Sequence, residues 1–464
     1  MSTTKRRQAV IVIHGIGEQR PMETLRGFVV ALLGSTQAQH NNAEPGPAFF
    51  SKPDRLSDTL ELRRLASWPP HTPIETDFYE LYWAHLMQGT AWSHVAAWLR
   101  LLMFRNPSGA RPAIQVLWVV SWCLVATAVF AYVRYGPPSS ATALLTYGLV
   151  GVLAFALLRL IGGFGLSYVG DAARYLSPLP FNIAVRKHIR DAVVDLLTKV
   201  HEEQPSRYDR VIVVGHSLGS VIAYDALTHL WQRRHSSIAN PCPTKQVMLA
   251  RVRRLSRRLE RKDLNATSRA RLLDRYRIRQ RDLLCEERAV GIDWRISDLV
   301  TLGSPLSHAP FLLARDSANW AALKLERMFP TSPPQTADER DQGRLIKRFD
   351  FTGGTEHADI AILHHAAVFA CTRWTNLYFG SDLIGGPVAG AALFGHGIKD
   401  IEVTASSWAT RWTPISHVRY WAQTEADALR ALKEALDLAW WPREQSWPAR
   451  VPIVHTHSRV ASRF

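Results

Sequence analysis

The residues best suited to chemistry sit in the stretch Arg210-Val-Ile-Val-Val-Gly-His-Ser-Leu-Gly-Ser-Val-Ile-Ala-Tyr-Asp225, which contains the G-x-S-x-G pentapeptide Gly215-His216-Ser217-Leu218-Gly219. Val211 to Val214 reads as a buried strand, and Val221, Ile222, Ala223, Ala226 and Leu227 follow at helical spacing. Strand, tight turn and helix is the context in which a serine is held out on a strained backbone as a nucleophile. The two glycines let strand and helix approach each other. A serine hydroxyl needs a base, and the base needs an orienting acid. Asp382 follows at once on the strand-like Thr375 to Phe379, and His417 lies in a loop after the last strand-like run, Ile401 to Thr404. The order Ser217, Asp382, His417 is nucleophile, acid, base. Asp400 is the rival acid and His396 the rival base.

An oxyanion formed at Ser217 needs donors. The apolar run Ala9 to Ile13 ends in His14-Gly15-Ile16-Gly17, a loop that would present the N–H of Ile16 beside that of Leu218. Ser304, in Thr301-Leu-Gly-Ser-Pro305, precedes a proline without an elbow and reads as loop structure. His357, His364 and His365 lie in or near an expected helix, Asp359 to Cys371. They lack the companion carboxylates of a metal-binding helix, so no metal is assigned.

These residues need elements to carry them. Helices are expected over Met22 to Leu33, Ala91 to Phe104, Asn182 to Glu203 (with Ile183, Ile189, Val193, Leu196, Leu197 and Val200 inward) and Glu425 to Ala439. Phe78 to Met87 is strand-like. Gln37 to Asp58 and Ser317 to Arg348 read as exposed loops. The helix after Ala91 suits either a membrane interface or a packed core. Ala113 to Val133 carries no charge and is long enough to cross a hydrocarbon core of about 30 Å. After the turn Arg134 to Ser140, Ala141 to Leu158 is a second uncharged run, extendable past Arg159 to Phe164. Arg100, Arg105 and Arg111 on one side and Arg174, Arg186 and Lys187 on the other put both ends in the cytoplasm and the turn outside.

The chain carries 56 Lys and Arg against 40 Asp and Glu, a net charge of +16, which points to acidic partners. Much of the excess is local. Between Lys245 and Arg288 there are 15 basic and 6 acidic residues, a net of +9. Two helices broken near Asn265 are expected there, either as a foot on anionic lipid headgroups through Arg251 to Arg281 or as a solvated hairpin lid. No recognised nucleic-acid motif accompanies the charge. Cys123, Cys242, Cys285 and Cys371 show no paired spacing and read as reduced thiols. The polar, basic N-terminus is unlike a signal peptide.

With these motifs the chain resembles the α/β-hydrolase superfamily, and in particular its lipase-like branch of membrane-associated ester hydrolases such as the GPI-inositol deacylase type. The resemblance rests on His14 to Gly17, Gly215 to Gly219, Thr301 to Pro305, Trp374 to Asp382 and His417 to Trp421. It implies an α/β fold, a mostly parallel sheet with helices on both faces, and no cofactor. Residues 1–110, 167–235 and 295–464 would form the hydrolase part, interrupted by a transmembrane hairpin at 111–166 and a basic helical insert at 236–294. The function implied is a membrane-anchored serine hydrolase of carboxylic, lipid-like esters. The alternatives are a membrane-tethered scaffold with a hydrolase-like fold and an acyltransferase using the same acyl-enzyme.

Overall fold

The computed structural model describes residues 6–16, 20–34, 48–53, 56, 63–87, 92–136, 148, 151–152, 166–177, 180–202, 208–238, 245–336, 339–341, 344–346, 351–352 and 360–442. The strands are β1 (Arg7–Ile13), β2 (Phe50–Pro53), β3 (Arg63–Ser67), β4 (Glu75–Leu81), β5 (Arg210–His216), β6 (Ile296–Leu302), β7 (Glu339–Asp341), β8 (Arg344–Ile346), β9 (Arg373–Phe379) and β10 (Lys399–Val403). An 8-stranded sheet runs β10-β9-β6-β5-β1-β4-β3-β2, and β7 and β8 form a separate ribbon. From β10 to β4 every neighbouring pair is parallel, while β3 and β2 are antiparallel.

The sheet's alternation explains its helices. In β1, Ala9, Ile11 and Ile13 face one core cluster and Val10 and Val12 the other. In β5, Val211 and Val213 oppose Ile212 and Val214 in the same way. A parallel strand buried on both faces reads as a continuous apolar run, which is why these strands stood out in the sequence. On one face lie α1 (Glu23–Leu33), through Leu25, Phe28, Val29 and Leu32, and the late helix Ala426–Leu436.

The helices between them follow in chain order. They are α2 (Trp92–Met103), α3 (Pro112–Tyr135), α4 (Leu166–Leu176), α5 (Pro180–Glu202), α6 (Leu218–Arg234), α7 (Val247–Leu259), α8 (Ala266–Val290) and α9 (Ser317–Leu325). α5 to α8 supply the other core cluster.

Gln37 to Asp58 is not an exposed loop in its described part, since Phe50–Pro53 forms β2 and Ala48, Phe49 and Leu56 are buried. Phe78 to Met87 is strand only as far as Leu81 and ends in the 3-10 turn Ala84–Met87. Four further expectations need revision. Asp359 to Cys371 is no α-helix in its described part: a short 3-10 turn, Val368–Ala370, is all that forms, because the apolar residues Leu363 and Ala366 to Cys371 are buried as an irregular segment filling the core. Ser317 to Arg348 is not one loop. Asp316 caps α9 by accepting from the N–H of Asn319, and Trp320 is buried. Ile183 points outward, 47% exposed, while Ile189, Val193, Leu196, Leu197 and Val200 are buried as expected.

The basic segment, finally, does not stand apart from the core. Val252 and Leu259 of α7 and Leu272, Tyr276, Leu283 and Leu284 of α8 join the main cluster. Asn265 caps α8 by accepting from Ser268 N–H.

α3 is a single helix of 24 residues, long and apolar enough to cross a membrane, with little of it covered by the rest of the molecule. The second uncharged run lies outside the described residues except Gly148, Gly151 and Val152.

At the end of the sheet away from Ser217, Asp298 is buried among cations. It accepts from Arg210 Nη2 at 2.7 Å, Arg373 Nε at 2.7 Å and Ser297 Oγ at 2.6 Å. Burial opposes its charge, but Arg373, Arg210 and Arg281 outweigh burial and hold the carboxyl well below the usual carboxylate range. A carboxyl depressed in the folded state stabilises fully above its unfolded pKa and loses that contribution only as pH falls through the folded value. Asp298→Asn leaves Arg210 buried without its counter-ion and is expected to cost about 3–5 kcal/mol at pH 7 by denaturant unfolding. A loss under 1 kcal/mol would refute the pairing as a stabilising constraint.

Candidate functional site

The site lies where the order of strands along the sheet reverses, between β1 and β5. Such switch points open a crevice at the carboxyl ends of the strands. β5 ends at His216, opposite Leu302 of β6, and Ser217 caps α6. Ser217 has φ 52° and ψ −128°, a conformation disfavoured for any residue with a Cβ, which costs of order 1–3 kcal/mol. Its N–H donates to Leu302 C=O at 2.9 Å. Glycine is required on both sides. A Cβ on Gly215 would meet Ser220 Cα at 2.5 Å, and one on Gly219 would meet the carbonyl oxygen of Ile13 at 2.3 Å.

Asp382 follows β9 in a turn closed by its own N–H to Phe379 C=O, and His417 sits in the 3-10 turn Pro414–Val418 after β10. The three side chains meet. Ser217 Oγ and His417 Nε2 are 2.8 Å apart, and His417 Nδ1 is 2.9 Å from Asp382 Oδ2 and 3.1 Å from Oδ1. Since the carboxylate only accepts, Nδ1 carries the proton and Nε2 is the acceptor facing the Ser217 hydroxyl. Asp382 also accepts from Ile384 N–H, Gly385 N–H and the Tyr420 hydroxyl, the last at 2.8 Å. Burial opposes its charge. The His417 ring and these donors prevail and keep the carboxyl below the usual range, so it is an anion at neutral pH.

The rivals have other work. Asp400 accepts from Asn376 Nδ2 and from the N–H groups of Val388 and Ala389. His396 meets Glu260 through its backbone N–H. Ser304 caps the 3-10 turn Pro305–His308 and accepts from Ser220 Oγ at 2.7 Å. His364 is buried against backbone groups of Gln335 and Ala366, and His357 lies outside the described residues.

His14 is braced rather than reactive. Its Nδ1–H donates to Gly15 C=O at 2.7 Å, its Nε2 accepts from Trp83 N–H at 3.2 Å, and its ring stacks on Trp83. A trans peptide points C=O and N–H in opposite directions. Holding the Gly15 carbonyl therefore turns the Ile16 N–H away from His14. Ile16 and Leu218 both line the cavity at Ser217, and Leu218 begins α6, where helix geometry leaves N–H groups unpaired.

Several supporting residues had no role legible in the sequence. Tyr420 braces Asp382. His216 donates from Nε2 to His417 C=O at 2.8 Å and packs edge-on to Trp421. Gly303 has φ 57°, and a Cβ there would meet Tyr420 at 2.7 Å, Asp382 Oδ2 at 2.9 Å and His417 Nδ1 at 3.1 Å. A glycine just past a strand end was the available signal. Gly303→Ala is expected to lower stability and to separate His417 from Asp382. The low-field Nδ1 proton resonance of His417 reports that contact, and its persistence in the variant would count against the crowding.

Burial holds three histidines around the site neutral: His14 lowered to about 4, His216 to about 3, with the His417 ring adding to burial, and His308 to about 4. The unfolded chain takes up these protons near pH 6.5 and the folded one does not, so each contributes stability present above that pH and lost as pH falls below it. The unfolding midpoint is expected to drop as pH goes from 6.5 to 4. His216→Gln should flatten that slope by about one proton, and an unchanged slope would contradict the assignment.

Compared with known proteins, the chain matches no family model, no curated protein and no solved structure.

Proposed function

We propose that the protein is a membrane-anchored serine hydrolase of the α/β-hydrolase type that cleaves carboxylic, lipid-like esters through an acyl-enzyme on Ser217. The observation that carries this is the continuous line of contacts from Ser217 Oγ through both nitrogens of His417 to an anionic Asp382.

In the reaction, Ser217 Oγ attacks the ester carbonyl while His417 Nε2 removes its proton. His417 then hands that proton to the leaving alkoxide as the C–O bond breaks. Asp382 keeps the ring in its Nδ1–H form and stabilises the imidazolium. Water, deprotonated by His417, releases the acid and restores Ser217. The N–H groups of Ile16 and Leu218 are the proposed oxyanion donors, each worth about 3 kcal/mol of barrier.

Membrane attachment is supported by the bare apolar surface of α3, with Val125, Val129, Phe130 and Val133 exposed. A cytoplasmic orientation rests on fewer charges than the sequence implied. Arg105, Arg111 and Arg174 donate to protein carbonyls and Lys187 pairs with Asp191, which leaves Arg100 and Arg186 as flanking cations.

The scaffold alternative gives no reason for a strained serine hydrogen-bonded to a histidine, and strain of this kind gathers where chemistry is done.

The test is fluorophosphonate labelling in native membranes. Wild type should label, Ser217→Ala should not, and Ser217→Ala should lower ester hydrolysis by about 10^4-fold or more. A folded wild type that stays unlabelled, or a Ser217→Ala variant with full hydrolysis, would sink the reading.

A further inference from the structure

Ser217 opens onto a cavity of about 300 Å3. Its walls come from α2 (Trp98, Leu102, Met103), α3 (Ile114, Leu117, Trp118) and the segments around Phe311 and Leu383, and among the described residues no charged side chain lines it. The hydroxyl of Ser121 and the imidazole of His308, which line it with Ser217, are already engaged. Ser121 Oγ donates to Leu117 C=O, while His308 donates from Nε2 to Leu383 C=O and accepts the Arg111 N–H at Nδ1. The occupant must therefore be apolar along its length, with one reactive end at Ser217.

The wall is also the membrane helix. Ile114, Leu117, Trp118 and Ser121 share one face of α3 at helical spacing, while Val116, Val119 and Val120 on the same turns are exposed. Two clamps fix this helix pair to the site. Arg105 Nη1 donates to the carbonyls of Phe311 and Leu312 at 2.7 and 2.8 Å. Arg111, at the start of α3, donates to the carbonyls of Gly380, Asp382 and Gly385. The indoles of Trp118 and Trp122 both donate to Met103 C=O at the end of α2. Indoles favour the headgroup depth of a bilayer, which sets the cavity at the level where acyl chains begin.

We infer that the cavity holds one fatty-acyl chain of a bilayer lipid, which reaches Ser217 along α3, and that Leu102 and Leu117 limit its length. This rests on the proposed hydrolase reading. A cavity of about 150 Å3 holds one benzene ring, so this one, about twice as large, accommodates a chain of about ten to twelve carbons. The polar part of the lipid stays outside, since nothing in the cavity would solvate it.

The test uses full-length protein in phosphatidylcholine vesicles doped with 4-methylumbelliferyl esters from butyryl to palmitoyl. Wild type should prefer chains of about eight to twelve carbons over butyryl by tenfold or more. Its rate should follow the mole fraction of ester in the bilayer rather than the bulk concentration. Leu117→Trp should lower the decanoyl-to-butyryl rate ratio at least tenfold, and Leu102→Ala should move the optimum to longer chains. Fluorophosphonate labelling of each variant verifies an intact site, and if Leu117→Trp does not label, Leu102→Ala decides alone. A labelled, active enzyme whose chain-length profile peaks at butyryl, ignores the variants, or follows bulk concentration overturns the inference and leaves the hydrolase reading standing. Absence of both labelling and hydrolysis in folded wild type overturns the hydrolase reading itself, and this inference with it.

Discussion

The site depends on one backbone constraint, the positive-φ conformation of Ser217 between β5 and α6. That conformation is unfavourable in isolation and persists because its surroundings leave no alternative. Its N–H is tied to Leu302 in the neighbouring strand, and the residues two before and two after it are glycines in van der Waals contact with other backbone. Relaxing the serine would require moving β1, β5 or the start of α6, each buried in the sheet's core. The hydroxyl is thus held by the whole sheet rather than by its own loop.

The partners of Ser217 are held more locally, by hydrogen bonds that each have one possible direction. Asp382 takes two backbone N–H donors and the Tyr420 hydroxyl, and His417 is gripped from behind through its own carbonyl by His216. Buried neutral histidines recur here because burial disfavours the imidazolium, and in His14 and His308 one ring nitrogen donates while the other accepts. The polar shell around the site is consequently intolerant of acid.

The strong positive charge has two different meanings in the structure. Arg277, Arg288 and Arg210 are buried, donating to strand and loop carbonyls or to Asp298, and they fasten α8 and the C-terminal segment to the sheet. Arg251, Arg254, Arg257, Arg258, Arg271 and Arg275 remain exposed on the outer face of the same two helices. Composition counts both groups alike. Arginine suits the first role because its stem packs while its planar head satisfies several carbonyls at once. Arg105 and Arg111, half-buried, fasten carbonyls in the same way, and Arg111 joins an apolar helix suited to a bilayer to the turn carrying Asp382.

Much of this was legible in the chain because it is encoded by near neighbours. A run such as Val211 to Val214 followed by Gly-x-Ser-x-Gly and a helical period specifies strand, turn and helix within twenty residues, and the strand ends at Phe379 and Val403 located the turns from which Asp382 and His417 reach Ser217. The caps at Asn265 and Asp316 are of the same local kind, although the second was hidden in a segment that looks polar throughout. What required the tertiary structure were relations between residues far apart in sequence. These include the grip of Arg111 on the Asp382 turn, the space that Gly303 leaves for Tyr420 and His417, the irregular path of Leu363 to Cys371, and the cavity enclosed by α2, α3 and the segment near Phe311. Local periodicity reports which face of an element is apolar. It does not report which other face will cover it, nor whether an arginine will find a carbonyl or water, because those outcomes are set by packing after the chain has folded.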